Sequence, residues 1–140
     1  MSQQQIFIDS LDNDWGRYVA HFQAFSPAEQ EKFLKKQGYA RLADLLAHVT
    51  AWWLLCLHDL GEFIETGEYH AGEVDLDAFN ATAVRDFKHL AETAVIQSFE
   101  HTREALLDLL QNLPEAAWQN PEITKRLEME ITGHYAEHAI

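Results

Sequence analysis

Apolar residues recur every three or four positions along most of the chain, and no run alternates convincingly with period two, so the encoded elements are helices. From about Asp9 to Phe25 the positions Leu11, Trp15, Tyr18 (or Val19), Phe22 and Phe25 share one helical face, which ends before Pro27. Ser26-Pro27-Ala28-Glu29 has the form of a capping box with proline at the first helical position, predicting a short helix to about Gln37 that stops at Gly38. The most apolar segment runs from Tyr39 or Arg41 to Ile64. Its stripe of Leu42, Leu45, Leu46, Val49, Trp52, Trp53, Leu54, Leu57 and Leu60 is wide enough for burial on more than one side.

Gly67 through Gly72 reads as a loop, after which Asp77 or Asn80 opens one long helix to Leu113. That helix carries Phe79, Val84, Phe87, Leu90, Ala94, Phe99, Leu106, Leu110 and Leu113, and Pro114 prevents its simple continuation. Ala116 to Trp118 forms a turn of helix. Asn120-Pro121-Glu122 then starts a last helix through Ile123, Leu127, Ile131 and Tyr135 to the C-terminus. Four main helices joined by short connections predict an all-α bundle, with the short helix at Pro27 as an addition. No repeat or composition shift divides residues 1–140, which read as a single domain.

Composition narrows the functional classes. Ten basic against 23 acidic residues give a formal charge of -13, a surface that repels phosphate backbones and anionic headgroups, so neither nucleic acid nor membrane is an expected partner. The single cysteine, Cys56, precludes an internal disulfide and sits in the apolar segment, where it reads as an inert buried thiol. With no basic, apolar leader after Met1, the expected location is cytoplasmic.

Eight histidines are the informative chemical signal. His134 and His138 are four apart on the last helix, so their Cβ atoms lie roughly 6 Å apart on one face and both rings can reach one metal ion. A third ligand must come from elsewhere, and His48 on the central apolar helix is the best placed. Each has a plainer reading. His48 can be a core histidine hydrogen-bonded to a neighbouring helix, and the His134/His138 pair can be a solvated terminal turn favoured by the helix dipole. The other histidines, His21, His58, His70, His89 and His101, read as surface or boundary residues. Glu130 and Asp44 stand one turn before His134 and His48. They read as solvated charges before ligands or acid–base groups, and Trp52, one turn after His48, as a core residue or pocket wall.

Two segments carry a family resemblance. Leu45-Leu46-Ala47-His48-Val49-Thr50-Ala51-Trp52 resembles the second-helix signature of the DinB-like superfamily, and Thr132-Gly133-His134-Tyr135-Ala136-Glu137-His138 resembles its terminal His-x-x-x-His motif, closest to the ClbS/DfsB branch. The resemblance implies a four-helix bundle, commonly dimeric, with a divalent metal held by His48, His134 and His138. Zinc or nickel suits an all-histidine site, with iron and manganese as alternatives. It further implies a metal-dependent enzyme acting on a small electrophilic or thiol-containing molecule, by thiol transfer or hydrolysis. The competing expectation is a non-catalytic bundle that binds a metal or a small hydrophobic ligand.

Overall fold

The computed structural model describes residues 1–140, and it is all-helical without strands. Helix α1 (Gln3–Asp9) begins where Ser2 accepts from the backbone N–H of Gln5. It widens into a π turn over Ser10–Asp14 and breaks before α2 (Tyr18–Ala24). The single helix expected from Asp9 to Phe25 is therefore two, displaced by an inserted residue. Gly16 marks the reason: a Cβ there would stand 2.0 Å from the carbonyl oxygen of Asp12, so the chain folds onto itself as only glycine permits. The wider turn keeps Leu11, Trp15 and Tyr18 inside together.

Helix α3 (Pro27–Gln37) follows its sequence signals closely. Ser26 and Glu29 complete both hydrogen bonds of the capping box, and Gly38 closes the helix at φ +83°. Helix α4 (Leu42–Thr66) passes through the middle of the molecule and ends at Gly67, again left-handed at φ +77°. Leu42, Leu45, Leu46, Val49, Trp53 and Leu60 on it are buried, whereas Leu54 of the expected stripe is 47% exposed.

The long helix expected up to Leu113 is also two: α5 (Leu76–Phe87) and α6 (Glu92–Asn112). Between them Ala91 is extended at ψ 146°, and Arg41 donates to the carbonyl of Leu90 at 3.4 Å. Neither glycine nor proline marks this break. Both α5 and α6 pack against α4. Leu106, Leu110 and Phe99 of α6 reach the core, while Ala94 is exposed.

A single turn, α7 (Glu115–Trp118), leads to α8 (Pro121–Leu127), capped by Asn120 as its sequence predicts. The last helix is not uniform: residues Glu128–Gly133 form a second π segment before α9 (His134–His138). The core gathers around Trp15, Trp53 and Phe99, with ring centroids 5.2 Å apart for the two tryptophans and 5.3 Å for Trp53 and Phe99. No single helix is long and apolar enough to cross a membrane.

Candidate metal centre

Helix α4 and the C-terminal α9 bring His48, His134 and His138 together. Their ring centroids are 5.3 Å apart for His48–His134, 5.3 Å for His48–His138 and 5.9 Å for His134–His138. A tetrahedral ion bound by three imidazoles at about 2.0–2.1 Å places ring centres roughly 5 Å apart. The ring nitrogens of the triad do not all fall within 4.8 Å of one another, however, so holding an ion would require the rings to draw together. All three side chains are buried, at 6–8% exposure. The solvated terminal turn that is the plainer reading of His134 and His138 does not occur: both side chains are buried, and Tyr18 donates its hydroxyl to the His138 carbonyl at 2.6 Å.

The orientation of each ring follows from hydrogen-bond chemistry. His134 Nδ1 lies 2.9 Å from the backbone carbonyl of Glu130, which only accepts, so Nδ1 carries the proton. His48 Nδ1 lies 3.1 Å from Asn80 Oδ1, and the same oxygen receives Trp52 Nε1–H at 2.7 Å. Indole nitrogen only donates, so the amide atom facing it must be the oxygen, and His48 must also donate from Nδ1. His138 Nδ1 donates to Gln37 Oε1 at 2.7 Å. Each ring therefore keeps the lone pair on Nε2, the arrangement that outer partners impose on metal-binding imidazoles. The Nε2 of His138 is buried with no protein partner. An orphaned acceptor of this kind is costly, and a cation is one species that relieves it.

The π segment makes one of these bonds available. In a regular helix the Glu130 carbonyl would receive the backbone N–H of His134, but that N–H goes to Met129 and Ile131 instead. The freed Glu130 carbonyl accepts from His134 Nδ1 and, at 2.7 Å, from Trp53 Nε1. The Ile131 carbonyl, which accepts the His134 backbone N–H, also accepts from Trp15 Nε1 at 3.0 Å. Two core indoles thus grip the helix that carries two members of the triad.

Burial keeps the rings neutral. Desolvation, reinforced by the neighbouring imidazoles, pushes His48 down to about 4. Desolvation also pushes His138 down to about 4 and lowers His134. Three uncharged nitrogen donors near neutral pH are what an N-ligated divalent cation requires.

His48 and His134 face a cleft of about 420 Å³ that is also walled by Trp52, Leu76, Asn80, Met129 and Glu130. Glu130 and Asp44, read from the sequence as solvated, are in fact buried at 4% and 7%. Asp44 is paired with Arg41 at 2.9 Å. Glu130 belongs to a buried cluster in which Arg126 reaches Asp59 at 3.0 Å and lies 3.7 Å from Glu130. Burial raises the Glu130 carboxyl to about 7 despite Arg126. Cys56 is buried and its thiol is pushed up to about 12 by desolvation, as expected of an inert cysteine.

By ligand-atom spacing alone the tightest grouping lies elsewhere, at His58, Asp59 and Glu62, whose donor atoms all fall within 4.8 Å of one another. There Asp59 already pairs with Arg126, while His58 and Glu62 are exposed. A cation would compete with the guanidinium, so the looser but uncharged, oriented and buried triad is the better candidate. His21, His70, His89 and His101 are exposed and lie outside it.

Sequence reasoning found the three imidazoles but missed Gln37, Asn80 and the Glu130 carbonyl. The first two are ordinary polar residues on α3 and α5, and the third depends on a helix irregularity; neither leaves a recognisable pattern. Comparison with protein-family models, curated proteins and solved structures yields no match to this chain.

Proposed function

We propose that this chain is a three-histidine metal protein, a four-helix bundle of the DinB-like type, that acts on a small electrophilic or thiol-containing molecule. The observation that carries the reading is the triad: three buried imidazoles, each with Nδ1–H donating to a carbonyl oxygen and the Nε2 lone pair left to bind a cation. His48, His134 and His138 would hold a divalent ion, with zinc or nickel suited to an all-nitrogen set and iron or manganese as alternatives. Such an ion supplies Lewis acidity, lowering the pKa of a bound water or thiol or polarising a substrate carbonyl. The chain's own contribution is to orient the rings and exclude bulk water at His138. An apolar wall of Trp52, Leu76 and Met129 beside His48 and His134 would receive the substrate. The family resemblance adds a homodimer and the choice between thiol transfer and hydrolysis.

The test is metal analysis of the purified protein and zinc titration of wild type and His48→Ala, followed by a screen of electrophiles with low-molecular-weight thiols. A folded His48→Ala protein that loses both the ion and turnover supports the reading. A wild-type protein that takes up no divalent ion at micromolar concentrations refutes it.

A second reading, a non-catalytic bundle that holds a small hydrophobic ligand, is favoured by the exposed rim of the cleft, where Leu76 and Met129 are 62% and 58% exposed. It predicts ligand-dependent tryptophan fluorescence that survives chelation, with no turnover.

A further inference from the structure

Helix α5 is an outlying element. Of its residues only Ala83 is buried, and irregular chain flanks it on both sides, at 67–75 and 88–91. A recess of about 240 Å³ separates it from α4 near Leu54 and Phe87. Its apolar anchor is Phe79, whose ring lies 4.3 Å from that of Trp52. The side-chain hydrogen bonds that join α5 to the rest of the molecule both end on one atom, Asn80 Oδ1, which receives Trp52 Nε1–H at 2.7 Å and His48 Nδ1–H at 3.1 Å. Leu76 and Asn80 also form one wall of the cleft beside the triad.

We propose that α5 is a flap over this cleft and that Asn80 couples its closure to cation binding by the triad. The inference rests on the metal reading of the preceding subsection. A cation on His48 Nε2 withdraws electron density from the ring and makes Nδ1–H a stronger donor, so the bond to Asn80 is stronger in the loaded protein than in the empty one. When α5 swings away, that bond is lost and the ring is released from its orientation. Removing an outer partner of a metal-bound imidazole weakens affinity about 10–100-fold. Thermodynamic reciprocity then requires saturating cation to favour the closed flap over the open one by the same factor. Asn80 is thus a positioning residue, and it makes the entrance of the cleft responsive to what the cleft holds.

The experiment is hydrogen exchange of the α5 amides, with and without saturating zinc, alongside calorimetric zinc titration. Wild type, Asn80→Ala and Asn80→Asp are compared, the last retaining an acceptor for both donors. Expected is a roughly 10–100-fold slowing of α5 exchange on zinc binding in wild type and Asn80→Asp. In Asn80→Ala the slowing should vanish and zinc affinity should fall by the same factor. Zinc binding that leaves wild-type α5 exchange unchanged overturns the proposal while the metal reading stands. So does an Asn80→Ala protein with wild-type zinc affinity and zinc-dependent protection. A wild-type protein that binds no zinc removes the metal reading, and this inference with it.

Discussion

Acidification distinguishes this triad from a solvated one. A metal competes with protons for Nε2, so each ligand's pKa sets the pH below which affinity falls. For imidazoles at their ordinary pKa of about 6.5, roughly ten of every eleven rings are protonated at about pH 5.5, and two such ligands weaken binding on the order of 120-fold. With His48 and His138 held at about 4 by burial, close to 3% of each is protonated at that pH, and their combined effect stays below about 1.1-fold. His134 is displaced in the same direction and adds to the contrast. The sign is that of a depressed base, which keeps its neutral form to lower pH, so the loss through His48 and His138 should stay small from about pH 7.5 to 5.5 and grow as pH approaches 4. Glu130, raised to about 7, imposes a shallower trend, because its protonation removes a negative charge beside the cleft. The assay is competition with a chromophoric chelator whose own protonation is known, at several pH values over that range. A drop of a hundredfold or more by about pH 5.5 would show solvated rings and refute the argument from burial.

Other perturbations probe the framework. Gly16→Ala forces a Cβ into the Asp12 carbonyl and should destabilise the chain by about 1–3 kcal/mol in urea unfolding. Gly61→Ala, within α4 and with open space around its Cβ, should stabilise by about 0.5–1 kcal/mol. Arg126→Met leaves Asp59 and Glu130 buried without their cation and should cost about 3–5 kcal/mol at neutral pH. Because a raised carboxyl pKa means the folded state holds its proton more tightly, that loss should shrink as pH is lowered through about 7, as read by urea midpoints across pH. Gln37→Ala removes the acceptor for His138 Nδ1 and should weaken zinc binding about 10–100-fold by calorimetry, whereas His101→Ala, exposed on α6, should leave it unchanged.

Much of the molecule is legible in its sequence where the signals are local. The capping box at Ser26 and Glu29, the left-handed stop at Gly38 and the Asn120 cap act over a few residues, and each appears where it is written. The breaks near Trp15 and Ala91 are different. The first sits at Gly16, whose backbone approaches the Asp12 carbonyl too closely for any Cβ, a need that the turn itself creates. Near Ala91 neither glycine nor proline stands, and the bend there leaves α5 and α6 each against α4. The carboxylates teach the same lesson. Glu130 and Asp44 look like ordinary surface charges in sequence, yet Arg126 and Arg41 make their burial tolerable.

For the site, the spacing of His134 and His138 and the apolar setting of His48 follow from the sequence alone, because helical periodicity dictates which residues share a face. Whether those rings meet, and which nitrogen each offers, was decided only by tertiary structure. Asn80 and Gln37 come from helices remote in sequence, and the Glu130 carbonyl is free only because a π segment diverts the backbone bond that would have occupied it. Periodicity is a property of one segment. The direction of a lone pair depends on acceptors supplied by others, and those positions exist only once the chain has folded.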